Sequence, residues 1–247
     1  MRKTKRTLLF TIIFALILIV GVMSVYASDI NVTTTPTNPN QAELYQLRSF
    51  AQQSDNLDRL GWNLNDPSTW SGILWTDGET NHIQSIDISY NFLLGFLDLS
   101  GFAALEYLDI AGNFIHELDL SGCYALIYLN CFNNSLQSLT VPRAEIVTVS
   151  SNRLTSLDVS GAANLRELYA GQNLLTELDL SNNTALTNLN IGDNNLLILD
   201  LAANTALRFL RATTIFYTFK RVRRYGCKST LLESSTPVRF WCMSDRK

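Results

Sequence analysis

Residues 105–115 read LEYLDIAGNFI, and the order of apolar and polar positions in this stretch recurs along the chain. The pattern is L-x-x-L-x-L-x-x-N-x-L. Leu105, Leu108, Ile110, Asn113 and Ile115 fill it here, and Ile83, Ile86, Ile88, Asn91 and Leu93 fill it one period earlier. Downstream copies run through Leu126, Leu129, Cys131, Asn134 and Leu136, then Ala144, Val147, Val149, Asn152 and Leu154. Two more follow, at Leu165, Leu168, Ala170, Asn173 and Leu175 and at Leu186, Leu189, Ile191, Asn194 and Leu196. A seventh copy opens with Leu207, Leu210 and Ala212 and then fails. The asparagines lie 22, 21, 18, 21 and 21 residues apart. A second element keeps the same beat: LDLSG at 97–101 and 118–122, LTVP at 139–142, LDVSG at 157–161, LDLSN at 178–182 and LDLAA at 199–203. A fixed period of this length marks a repeat array, in which each unit buries its apolar face only against its neighbours.

The residue types follow from that architecture. The L-x-L alternation predicts a short strand with side chains pointing alternately in and out, and strands of successive turns stack about 4.8 Å apart into a parallel sheet on one face. The asparagine stands where the chain leaves the strand. Backbone groups buried there need partners, and a carboxamide offers two donors and an acceptor. Asn91, Asn113, Asn134, Asn152, Asn173 and Asn194 are therefore expected to form a structural ladder. The LDLSG element crosses the opposite side, where Ser-Gly or Asn closes the turn. The fourth unit is shorter, and Pro142-Arg143 predicts a tightened turn with the core register kept.

On these residues the chain resembles the leucine-rich-repeat family, in the roughly 21-residue form of secreted bacterial proteins, over about 83–212. The resemblance implies an α/β-type repeat solenoid, mostly β and turn, with a curved parallel sheet on its concave face and a short N-terminal capping helix. It also implies a binding role, most often toward proteins. Residues 68–75, STWSGILW, are similar to the C-x-W-x-G-V-x-C cap of plant-type repeats. The Trp and Gly match, whereas Ser68 and Trp75 replace both cysteines, so this cap is expected without a disulfide.

Outside the repeats the chain divides by composition. Arg2, Lys3, Lys5 and Arg6 precede the apolar run Leu8–Val20, and Val25-Tyr26-Ala27 ends it, which predicts a signal peptide at 1–27 cleaved after Ala27. An uncleaved membrane anchor is the alternative. Residues 28–40 read as a linker with two prolines. Residues 41–82 read as an N-terminal cap: Leu44, Leu47, Phe50 and Ala51 recur at helical spacing over 41–54. Trp62, Trp70 and Trp75 read as a lid on the open end of the core, with ligand stacking the alternative. Residues 28–207 carry twenty Asp/Glu against five Lys/Arg, whereas 208–247 carry ten Lys/Arg against two Asp/Glu. The acidic body argues against nucleic acid, whose phosphates repel it. The basic tail at 213–247 departs from the pattern in mid-repeat. Three readings stand: a true C-terminal cap, a basic docking tail, or the product of a frameshift or truncation.

Nothing in the sequence assembles catalysis or calls for a cofactor or metal. His82 and His116 have no second His or Cys at metal-ligand spacing, and no G-x-S-x-G or phosphate loop is present. Asp98, Asp119, Asp158, Asp179 and Asp200 share one repeat position and read as a solvated stripe, with calcium binding the weaker alternative. Cys131 takes an apolar slot and reads as a core residue; a Cys123–Cys131 bridge is the less favoured reading, and the pairing of Cys227 and Cys242 is left open. The outward positions of the strands place Tyr107, Tyr128, Phe132, Ile146 and Tyr169 in an apolar-aromatic patch edged by Asp87 and Asp109. Tyrosine is favoured in binding hot spots. Ordinary variable surface is the bland reading of the same residues. An extracellular binding protein with an unidentified protein partner is thus weighed against a cell-envelope spacer, or a truncated fragment, with no ligand of its own.

Overall fold

The computed structural model describes residues 37–212 and the backbones of Arg221–Arg223 and Arg239–Trp241. The expected signal segment and the rest of the basic tail, with Cys227 and Cys242, lie outside the described residues. Each L-x-L core forms a strand: Ile83–Asp87, Tyr107–Asp109, Tyr128–Asn130, Ile146–Thr148, Glu167–Tyr169, Asn188–Asn190 and Phe209–Arg211 pair in parallel in that order. Their central residues point inward and are buried from Ile86 through Leu189. The structure is a solenoid of about six turns with few helices.

The register sets equal repeat positions side by side. Ser85, Tyr107, Tyr128, Ile146, Glu167, Asn188 and Phe209 make one row; Asp87, Asp109, Asn130, Thr148, Tyr169, Asn190 and Arg211 make the next. The three-residue deletion does not disturb it, because the loss falls in the Pro142–Arg143 turn while Val141 stays in the core. On the opposite side pairing is sparser. Leu94–Asp98 pairs with Phe114–Asp119 and Ser138–Thr140 with Ser156–Asp158, both in parallel. The ends of the LDLSG elements, at 100–101, 121–122, 160–161, 181–182 and 202–203, run as turns. Asp98, Asp119, Asp158, Asp179 and Asp200 each accept the backbone N–H two residues on, at 2.8–2.9 Å, which closes these turns locally. Gly122 sits where successive turns touch, and a Cβ there would run into the Ser100 carbonyl.

The N-terminal end is closed by side chains the repeats lack. The helix Gln41–Ala51 starts at Asn40, whose side chain accepts the N–H groups of Ala42 and Glu43. It buries Leu44, Leu47, Phe50 and Ala51 on the first turn of the core, about 1.5–3 kcal/mol for each large side chain. The helix is shorter than the expected 41–54, and a second short helix, Asn56–Leu60, follows a left-handed Ser54. Trp62 and Trp70 stack with ring centroids 4.8 Å apart, and all three tryptophans are buried, which leaves no ring face for a ligand to stack on. The strand Ile73–Trp75 then pairs antiparallel with Ile83–Asp87 at the edge of the long sheet, a strand that the repeat pattern does not announce. The expected linker ends earlier than residue 40. Asn81 accepts the N–H groups of Thr37 and Asn38 at 2.9 Å and so ties this segment to the cap.

Candidate functional site

Five of the six repeat asparagines bridge adjacent turns. Asn173 is the pattern: its Oδ1 accepts the Leu154 N–H at 3.0 Å, and its Nδ2 donates to the carbonyls of Val149 and Ala170 at 3.0 and 3.1 Å. Asn113, Asn134, Asn152 and Asn194 repeat this geometry with the turns before them. Asn91 stands at the first turn, where its Nδ2 donates to Ser89. The residue just before each asparagine is left-handed: Tyr90, Gly112, Asn133, Ser151, Gln172 and Asp193 have φ between 54° and 66°. Only one of them is glycine, so the sequence hides this requirement.

A second buried series escaped the sequence reading. Asn183 donates to the carbonyls of Val159 and Ala162 at 2.9 Å, and Asn204 to those of Leu180 and Asn183 at 3.0 and 2.9 Å. Cys123 occupies the equivalent place three repeats before Asn183 and donates to the Leu99 carbonyl. The signal was present in SNN at 181–183 and AAN at 202–204, but Phe102 and Ala162 at the same position mask it. Cys123 and Cys131 are free thiols, so the alternative bridge between them is corrected. Burial pushes the Cys123 thiol up to about 12 and Cys131 well above its ordinary value. His82 serves the cap: its Nδ1 lies 2.9 Å from the buried Glu43, whose other oxygen accepts the Ile83 N–H at 2.7 Å.

The outward face of the long sheet splits the expected patch in two. Tyr107 and Tyr128 stack with centroids 4.6 Å apart and planes 6° from parallel, which is the strand spacing carried up into the side chains. Ile146 follows them in the same row. Asp87 and Asp109 are cross-strand partners in the neighbouring row. Asp109 is buried, accepts the Ala111 N–H at 2.9 Å and takes a bond from the Asn130 amide at 3.1 Å. Burial, with the Asp87 charge beside it, pushes Asp109 up to about 6 against the pull of those two bonds. Burial and the two carboxylates raise the Tyr107 and Tyr128 hydroxyls. Phe132 and Tyr169 stand apart from this cluster. They line a shallow concavity of about 390 Å³ with Thr148, Asn190, Asp193 and Arg211. Tyr169 donates to Glu167 at 2.7 Å, and burial together with that bond holds its hydroxyl up to about 12. Among the described residues no three His, Cys, Asp or Glu side chains gather as a metal site.

No protein-family model and no curated protein matches the chain. Solved structures overlap it in part. The functional domain of InlJ from Listeria monocytogenes, described as including a cysteine ladder, is 27% identical over 52% of this chain and 36% of that one, with a TM-score of 0.36. The BIR2 ectodomain from Arabidopsis thaliana is 16% identical over 64% and 82%, with a TM-score of 0.46. The Arabidopsis receptor kinase HAESA leucine-rich-repeat ectodomain, solved with an IDA peptide hormone, is 20% identical over 69% and 37%, with a TM-score of 0.45. The chain thus spans little more than a third of the InlJ and HAESA structures. The assignment rests on the chain's own strand register and inter-turn asparagine bonds: this is a leucine-rich-repeat solenoid with repeats of about 21 residues.

Proposed function

We propose that the protein is a non-enzymatic binding module that acts outside the cytoplasm and engages another protein through the outward face of its long sheet. The stacked Tyr107–Tyr128 pair beside Asp87 and Asp109 carries this reading. A stacked aromatic pair on an open sheet offers rigid contact area at little entropic cost, the composition of an interface hot spot. Phe132 and Tyr169 form a second contact area on the same face. The body's acidic balance favours a partner with basic character and disfavours nucleic acid.

Two experiments test the two halves of the proposal. Export predicts that the mature protein begins at Ser28; a mature N-terminus at Met1 contradicts cleavage after Ala27. For the face, a photo-crosslinking residue placed at Asn130 is expected to give a protein adduct in the native setting, whereas one at Asp179 gives none. Adducts from position 179 alone would move the interface to the other side.

A further inference from the structure

The row that holds the two tyrosines has a gap at its N-terminal end. In order across the sheet it reads Leu74, Ser85, Tyr107, Tyr128 and Ile146. The two rings stack along the sheet, so Tyr107 turns its second face toward Ser85. Ser85 is too short to meet it. Strands about 4.8 Å apart put Leu74 and Tyr107 about 9.6 Å from each other, room for one flat group about 3.5 Å thick between them. The neighbouring row has the same opening. There Asp87 is flanked on one side by Asp109 and on the other by Gly72, which has no side chain. Gly72 cannot be larger, because its φ is +87° and a Cβ would run into the Asp87 carbonyl. The slot is therefore walled by an aromatic face, floored by serine and bordered by two carboxylates. No Lys or Arg occurs among these positions, and the chain from 28 to 207 holds twenty Asp/Glu against five Lys/Arg.

A flat cation satisfies every element of this arrangement. A guanidinium can stack on the tyrosine as the next plate in the pile and direct its N–H groups at the second oxygen of Asp87, whose Oδ1 accepts from Ser89, while the buried Asp109 behind it adds charge but has both oxygens engaged by Ala111 and Asn130. An ammonium meets the charge but cannot stack or fork. The geometry points to an arginine recognition slot over Ser85, filled by an arginine side chain of an extended segment of the partner protein. This rests on the proposal that the long-sheet face is the binding surface, and it names the chemistry recognised there.

The test is a titration of the purified protein with the blocked peptide acetyl-Gly-Ser-Arg-Ser-Gly-amide, followed by the NMR ring signals of Tyr107. Counterparts carrying lysine or the neutral isostere citrulline are titrated in parallel. Saturable binding of the arginine peptide is expected, about tenfold weaker for lysine and not measurable for citrulline. Ser85→Phe fills the slot and Asp87→Asn removes the outer charge. Each is expected to abolish the arginine preference with the circular dichroism and melting midpoint unchanged, and Asp200→Asn, on the other side, is expected to leave it intact. Equal behaviour of the arginine and citrulline peptides, or undiminished binding by Ser85→Phe, overturns the slot. If either occurs while alanines at Tyr107 and Tyr128 still weaken a crosslinked partner, the binding face stands and only its arginine chemistry falls.

Discussion

Replacing Asn173 by alanine would strand the Leu154 N–H and the carbonyls of Val149 and Ala170 in a buried place. An orphaned buried group costs about 1–3 kcal/mol, so a loss of about 3 kcal/mol is expected in denaturant unfolding. Asn195→Ala, at an exposed position two residues past the strand turn, should change stability by less than about 0.5 kcal/mol. Equal effects would show that the ladder bonds contribute nothing special. The ladder was legible because one residue type recurs at one spacing. Asn183 and Asn204 were not legible, since their position is shared with Phe102, Cys123 and Ala162 and only stacking reveals that they bond alike. Asp109 offers a pH-dependent test of the same kind of burial. Its folded-state value of about 6 lies above the ordinary 3.8, so the folded protein holds a proton that the unfolded chain has lost in that interval. Stability from this group is thus fully present below about pH 3.8 and is lost as pH rises through about 6. Relative to Asp109→Asn, the protein should lose stability between those values, by at most about 3 kcal/mol. A difference independent of pH across that window would contradict the buried carboxylate.

The turn that leaves each strand depends on a left-handed residue that periodicity cannot reveal, because serine, glutamine, aspartate, asparagine and tyrosine fill it as well as glycine. At Asp193, φ is 57° and the side chain is exposed, so the backbone alone is at stake. Asp193→Val is expected to cost about 1–2 kcal/mol because its branched Cβ crowds a left-handed backbone that aspartate tolerates, while Asp193→Gly should be neutral or slightly stabilising. Thermal melting of the two variants decides the matter, and a valine variant as stable as the glycine one would show that the turn relaxes. The antiparallel strand Ile73–Trp75 was equally hidden. Its tryptophan suggested a lid, but nothing in ILW distinguishes an added sheet edge from a covering loop until Gly72 is seen against the Asp87 carbonyl. The sequence grouped Tyr107, Tyr128, Phe132, Ile146 and Tyr169 as a single patch from their outward positions. Its division into a Tyr107–Tyr128 stack and a Phe132–Tyr169 concavity depends on which row each residue joins, which only the register supplies.

Across the whole solenoid, stability is the sum of turns that cannot stand alone. The register of the parallel strands follows directly from the repeat spacing, including the shortened fourth unit, because the core positions recur wherever the turn length changes. The same stacking turns single outward residues into continuous rows, and the proposed recognition uses these rows. In the proposed function this surface, at Tyr107, Tyr128 and Tyr169, holds a protein partner. The direct measurement is the affinity of the crosslinked and purified partner for the protein and for its variant with alanine at those three positions. Loss of a half-buried hot-spot aromatic costs about 2 kcal/mol or more, so affinity is expected to fall at least about tenfold while the circular dichroism spectrum is retained. Undiminished affinity in a folded triple variant would contradict the account and leave the tyrosines as ordinary surface.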